Sequence, residues 1–278
     1  MAVSAPEAPQ APDAPAAAAA AREPRERPQW LGGLLGTVGL IALWWLLADT
    51  LLRSTKAVPT PWEVVAQFPE DGWDFYWSNA SITLAGAGKG FLWGNVAALA
   101  VAVLVLLLPP LEPVATQLAV ISYCMPLTAI GPIILVIFGG RTPTIFLAAI
   151  SVFFTTLIGS LLGLKAADKT SLNLIEAYGG GRWQQLVKVR AIAALPAILS
   201  ALKIAAPAAM LGAIIGEYLG GIDNGLGVAL TVAQQHFLVE RTWALAFVTG
   251  GLAGLGYAVF AVIARFVTPW SSGSAGGA

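Results

Sequence analysis

"SITLAGAGKGFLWGNVAALAVAVLVLLL", residues 81–108, holds a single charge, Lys89. A helix that crosses the hydrocarbon core of a bilayer needs about 20 mostly apolar residues. This stretch therefore reads as a spanning helix. Five other segments read the same way: 31–52, 114–138, 144–164, 198–220 and 242–267. The expected fold is an all-α integral membrane protein with six transmembrane helices.

Composition agrees. The chain of 278 residues is 57% hydrophobic and only 11% charged, with a mean hydropathy of +0.76. A soluble domain has about a quarter of its residues charged, so this chain lacks the polar residues to cover a water-facing surface. A net charge of zero argues against a nucleic-acid partner drawn in by a basic field. One cysteine, Cys124, and one histidine, His236, leave no internal disulfide, no thiol cluster and no histidine-rich metal site. No metal and no cofactor is expected. His236 falls in the outer stretch "AQQHFLVERT" and is expected to be solvated.

The apolar region is flanked by tails. Residues 1–29, with "APEAPQAPDAPAAAAAAREPRERP", have prolines every few positions and too little apolar bulk for a core, so they read as disordered. The first apolar block starts only at Trp30 and is long enough to span, unlike the core of a signal peptide. Residues 269–278 read as a second flexible tail. This leaves 30–268 as the membrane domain.

The third span holds Pro126 and Gly131–Pro132, which should kink it and leave carbonyls without helical donors. In hydrocarbon such groups need a protein or watery partner, so this span is a candidate for the bundle interior. Basic residues orient the whole. Arg22, Arg25, Arg27, Lys165, Lys169, Arg182, Lys188, Arg190, Lys203 and Arg265 fall on one side; Arg53, Lys56, Arg141 and Arg241 fall on the other. The richer side is cytoplasmic, so both termini and the 165–197 loop are expected there. Trp73, Tyr76 and Trp77 suit the opposite membrane–water interface.

The loop itself reads "EAYGGGRWQQLVKVRAIAALP", Glu176–Pro196. Ser171 or Asn173 can cap a short helix that the glycines Gly179, Gly180 and Gly181 end. A second short helix from Arg182 would present Trp183 and Leu186 on one face. Two short helices joined by a glycine turn make a knob for a partner's groove. No Lys-Ser/Thr follows the glycines, so this is not a phosphate loop.

This loop resembles the coupling loop of permease subunits of bacterial binding-protein-dependent ABC importers, in the branch for nitrate, sulfonates, taurine and pyrimidine precursors. That loop reads Glu-Ala-Ala, three residues, Gly, then a closing Leu-Pro. Gly179 takes the glycine place and Leu195–Pro196 the closing place. Asn173 stands where the glutamate belongs, while Glu176–Ala177 reads like the opening but lies three residues too close. "KAVPTPWEVV", "MPLTAIGPIILVIFGG", "FFTTLIGSLLGLKAAD", "LKIAAPAAMLGAIIGEYLGG" and "GLGVAL" also look familial, so the resemblance covers about 30–268.

The resemblance implies a permease in the bacterial inner membrane, with no ATP site of its own. It implies a second copy of the chain, two ABC ATPase subunits below and an extracytoplasmic solute-binding protein above. Ser122, Tyr123, Thr128 and Thr155 are candidates for the solute path, although most membrane serines and threonines bond only their own helix. Glu217 reads either as part of an outer gate or path, or as a side chain snorkelling to the interface. Lys89 and Glu217 are expected to be neighbours. A secondary transporter or a membrane scaffold without an ATPase is the alternative reading.

The orientation is directly measurable. Cysteines placed at Ser54 and Asn224 should label from outside in intact cells, and one at Ser171 should not. Outside labelling at Ser171 would invert the topology.

Overall fold

The computed structural model describes residues 29–54, 57–220 and 223–270. The tails expected over 1–29 and 269–278 lie almost wholly outside these residues, as do Arg22, Arg25, Arg27 and Lys56. The chain divides into one unit ending at Trp44 and a second from Trp45. Helix α1 (Gln29–Asp49) is apolar along its length and long enough to span.

In the second unit, α2 (Pro61–Asp71) starts with a capping box, in which Thr60 and Glu63 satisfy each other's backbone N–H. The long α3 (Trp73–Leu107) follows, and a 3₁₀ turn (Pro109–Leu111) leads into α4 (Glu112–Cys124) and α5 (Leu127–Phe138). Next come α6 (Thr142–Lys165), α7 (Lys169–Ala177), α8 (Arg182–Gln185), a π turn (Leu186–Arg190) and α9 (Ala191–Leu219). Helices α10 (Leu226–Gln235) and α11 (Val239–Val267) complete the described chain. Among the described residues, five helical segments are long and apolar enough to cross a membrane, and α4–α5 makes a sixth if that bent pair is one span.

Helix α6 is the centre of the bundle, with α3 on one side and α9 on the other. Lipid tails are as apolar as leucine, so these helices gain little by merely hiding hydrocarbon from each other. Close van der Waals approach across small residues must hold them. On α3, Gly86, Gly90 and Gly94 recur every four residues and so share one face. Cβ atoms there would lie 2.6 Å from Thr144 Cγ2, 2.3 Å from Ala148 Cβ and 2.4 Å from the Ala149 carbonyl oxygen, respectively. Helix α9 does the same from the other side: a Cβ at Gly212 would meet the Leu147 carbonyl oxygen at 2.5 Å, and one at Gly216 would meet Thr144 Cα at 2.5 Å. Lower down, Gly163 and Gly159 of α6 abut Ala197 and Ala201. These pairings make α3 parallel and α9 antiparallel to α6. Inside the stack, Thr156 donates to Asn95 Oδ1 at 2.6 Å, and Asn95 in turn donates to the Phe91 carbonyl at 2.7 Å.

Several expectations shift. The third span is two helices meeting at 94°, broken at Met125–Pro126. Pro126 breaks the run because the residue before a proline is pushed to extended backbone, and Met125 has ψ 125°. Pro132 does not break α5. The second span starts at Trp73 instead of 81, which puts Lys89 near the middle of α3. The short helices α2 and α10 were not foreseen. Tyr76 is buried instead of lying at the interface, whereas Trp73 and Trp77 are exposed with stacked rings. Lys203, counted with the cytoplasmic cations, lies twelve residues into α9, about 18 Å along it.

Overpacking a tight contact costs about 1–3 kcal/mol. Gly90→Leu and Gly216→Leu should therefore each lower the melting temperature in detergent. Gly254→Ala, with open space around it in α11, should hold or raise it, because alanine is the better helix former. Equal melting temperatures for all three would show that these faces do not carry the packing.

Candidate functional site

The end of the bundle where α3 and α6 finish carries the knob. Asp168, rather than Ser171 or Asn173, caps α7, accepting from the Ser171 N–H at 2.9 Å. The backbone N–H groups of Ser171 and Thr170 hold its carboxyl below the usual aspartate range. At the other end, the Gly180 N–H reaches the Ile175 carbonyl and the Gly179 N–H reaches the Glu176 carbonyl, both at 2.8 Å. This is the Schellman pattern, and it requires left-handed backbone at Gly179, whose φ is +79°. Gly180 is needed for a different reason: a Cβ there would lie 2.5 Å from the Ile175 side chain. Gly181 has open space and extended backbone, so neither constraint applies to it.

The basic residues of the knob bind backward, into the spans. Arg182 donates to the Leu107 carbonyl at the end of α3 (2.9 Å), and Arg190 donates to the Leu164 carbonyl at the end of α6 (3.0 Å). Both satisfy helix-end acceptors that have no partner within their own helix. Lys165 pairs with Glu112 across α6 and α4. A cavity of about 300 Å³ lies between, walled by Val105, Leu161 and Leu164 and edged by Glu112, Lys165, Arg182 and Arg190. Leu174, Tyr178, Trp183 and Val187 remain exposed, Tyr178 at 86%. Asn173, Glu176 and Ala177 are exposed beside them.

Two expectations about the knob are corrected. Arg182 does not start a separate short helix, because the π turn carries the chain straight on into α9. Trp183 and Leu186 do not share an outward face, since Leu186 is buried in a core cluster with residues of α3, α4, α6 and α9. Leu195 and Pro196 lie inside α9, half-buried, about 20 Å along the helix from Arg182. They are not brought to the turn.

Of the path candidates, Ser122, Tyr123 and Thr128 lie at the break between α4 and α5. Ser122 bonds only the Ala119 carbonyl of its own helix (2.7 Å). Tyr123 is exposed and packs on Phe154 with ring centroids 4.5 Å apart, which brings the turn of α6 holding Thr155 beside the break. His236 is exposed at the end of α10.

Glu217 stands apart from these and does not snorkel, being 2% exposed. Its Oε2 accepts from Thr83 Oγ1 at 2.8 Å and from the Gly227 N–H at 2.9 Å. The Leu226 N–H donates to Thr83 Oγ1 at 2.8 Å and the Gly225 N–H to Asn79 Oδ1 at 3.0 Å. Three N–H groups at the start of α10, which no helix can satisfy internally, are thus met by side chains of α3 and α9. A carboxylate there also suits the positive end of the helix dipole. Gly225 (φ +144°) leaves no room for a side chain, as a Cβ would lie 2.5 Å from the Glu217 carboxyl. Glu217 and Lys89 both line a cavity of about 80 Å³, and no ion pair joins them.

At the opposite end, Asp71 ties α2 to α3 and α11. It accepts from Arg241 Nε at 2.8 Å, Gln67 Nε2 at 2.9 Å and the Tyr76 hydroxyl at 2.7 Å. Its side chain is 1% exposed. Burial alone would raise its pKa; the bonds from Arg241, Tyr76 and Gln67, with the Arg241 charge, outweigh it and hold the carboxyl below the ordinary 3.8.

The family model described as "Binding-protein-dependent transport system inner membrane component" matches residues 90–272. A probable ABC transporter permease protein of Haemophilus influenzae is 29% identical over 209 residues, covering 74% of this chain and 84% of its own. A putative aliphatic sulfonates transport permease protein of Bacillus subtilis is 27% identical, covering 86% and 83%. A taurine transport system permease protein of Escherichia coli is 23% identical, covering 85% and 88%.

Because the folded-state pKa of Asp71 is depressed, its contribution to stability is complete above about pH 4 and is lost as the pH falls through the folded value. Asp71→Asn should remove this acid limb from the melting temperature of the solubilised protein. It should also cost on the order of 2 kcal/mol at neutral pH, the scale of a hydrogen bond to a charged group. An unchanged acid limb would show that other carboxylates set it.

Proposed function

The chain belongs to the family of binding-protein-dependent transport system inner membrane components, and on that premise we propose how its ends work. It is a multi-pass membrane protein and a permease subunit of such an importer. In our reading, two copies enclose a solute path, and two ABC ATPase subunits dock on the cytoplasmic knobs. A solute-binding protein delivers cargo at the opposite face, and both termini are cytoplasmic. ATP is hydrolysed on the partner subunits, while this chain contributes two alternating states and contacts with both partners. The cargo is a small solute of the sulfonate, taurine, nitrate or pyrimidine-precursor type.

The observation that carries this reading is the knob's division of labour. Its apolar residues Leu174, Tyr178, Trp183 and Val187 point outward, while Arg182 and Arg190 grip the ends of α3 and α6. A groove that takes the outward set and then moves would pull on both spans. Glu176, Ala177, Gly179 and Gly180 shape the turn, and Asn173 flanks it. Leu195 and Pro196 act as part of α9, where proline removes one helical bond to the Ile192 carbonyl and softens the first turns.

Trp183→Ser should weaken co-purification with the ATPase about 30-fold, as for an interface anchor worth about 2 kcal/mol. Gly179→Val should do the same or uncouple hydrolysis from transport, since β-branched residues are strongly disfavoured at left-handed positions. Gly181→Ala should behave as wild type. Wild-type docking and coupling in both Trp183→Ser and Gly179→Val would reduce the turn to a connector.

A further inference from the structure

The cavity where α3, α4 and α6 meet the knob joins two opposed chemistries. Its walls Ala102, Val105, Leu161 and Leu164 are buried and apolar, and Ala102 lies five residues, about 8 Å, before the end of α3. Its mouth carries Lys165, Arg182 and Arg190 against a single carboxylate, Glu112. Lys165 pairs with Glu112, and neither arginine forms an ion pair among the described residues. Three cations and one carboxylate leave the mouth with a net charge of +2.

Capping the helix ends does not use up these arginines. A guanidinium carries five N–H groups, and the Leu107 and Leu164 carbonyls take one from each. Those carbonyls are neutral, so the charge of each arginine stays uncompensated. Arg182 and Lys165 are exposed and Arg190 is half-buried, which leaves them open to an anion at the mouth. The charged mouth sits at the ends of two spans, and the apolar walls lie inside them. A phospholipid has the same layering, with an ionic head at the boundary and hydrocarbon below. A free anion would leave the apolar walls uncovered, and a purely apolar guest would leave the cations unmet.

We propose that this cavity binds one anionic phospholipid, with its phosphodiester on Lys165, Arg182 and Arg190 and the start of one acyl chain against Val105, Leu161 and Leu164. Phosphate oxygens match the paired N–H groups of a guanidinium, and basic pockets between spanning helices suit such heads. A choline head brings a cation of its own back to the basic mouth and gains less. Held by α6 and by the knob at once, the lipid is a third tie between knob and spans, beside the two arginine–carbonyl bonds. Its origin in the cytoplasmic leaflet rests on the permease reading, whereas the site rests on the cavity alone.

The test is native mass spectrometry of the full chain, stripped of lipid in detergent and titrated with lipids of matched acyl chains. Phosphatidylglycerol should bind at least about tenfold more tightly than phosphatidylcholine, on a scale of about fivefold per cation near an anionic head. Lys165→Gln with Arg190→Gln should erase that preference. Glu112→Gln removes the one carboxylate at the mouth, so it should tighten phosphatidylglycerol about fivefold and leave phosphatidylcholine unchanged. A purely structural role for the Lys165–Glu112 pair would not produce that rise. Three results would each overturn the proposal: equal affinity for the two lipids, no gain for phosphatidylglycerol in Glu112→Gln, or displacement of the lipid by an equal concentration of inorganic phosphate. Loss of the lipid when the ATPase docks would do so too, by giving the cations to an acidic segment of that partner. Lipid affinity is read on the chain alone and ATPase co-purification separately, so failure of the lipid site and failure of the permease reading are told apart.

Discussion

Everything else in the bundle depends on how closely the backbone of α6 is approached from two sides. Hydrocarbon gives neighbouring helices little reason to associate, so contact must come from backbones near enough for many weak attractions to add. Glycines on α3 and α9 reach overlapping stretches of α6, Thr144–Ala149 and Pro143–Ser151 respectively, from opposite sides. That shared stretch sets the height of Thr144, and with it the positions of Gly86, Gly216 and Glu217. The polar cavity is a by-product of this register. Three helices cannot be drawn so tightly at Thr144 without holding Lys89 of α3 and Glu217 of α9 within one turn of it.

A second constraint governs the ends. Backbone groups that finish a helix need partners, and in a membrane protein these are best supplied by the protein itself. At one end, arginines from the knob meet the last carbonyls of α3 and α6. At the other, Asn79, Thr83 and Glu217 meet the first N–H groups of α10. In both places a connecting segment is fastened to two spans at once, so neither segment can move without a change in how those spans sit together.

The sequence made the spans and the glycine turn readable because each is a local pattern: an apolar run of fixed length, or glycine where left-handed backbone is required. It also brought Lys89 and Glu217 together as rare charges in apolar runs. The roles of Arg182 and Glu217 were less readable, because each depends on backbone groups far away in the chain. Nothing in "RWQQ" says that its arginine reaches a carbonyl seventy-five residues earlier. Tyr76 looked like an interface aromatic until Asp71 claimed its hydroxyl. The repeat Gly86, Gly90, Gly94 was a signal available in the sequence, masked by the apolar residues that made the segment an obvious span. Pro126 and Pro132 look alike locally, and only the path of the chain decides which one breaks the helix.

The π turn between α8 and α9 has one more effect. The Ala191 N–H reaches back to the Leu186 carbonyl, five residues away instead of four. One surplus residue is thereby absorbed without a break in the rod. Each residue of an α-helix turns the chain by about 100°, so that residue acts as an angular index. It turns α8 and the glycine turn about the axis of α9 by that angle relative to an unbroken α-helix, and in this setting Arg182 reaches the end of α3 and Arg190 the end of α6.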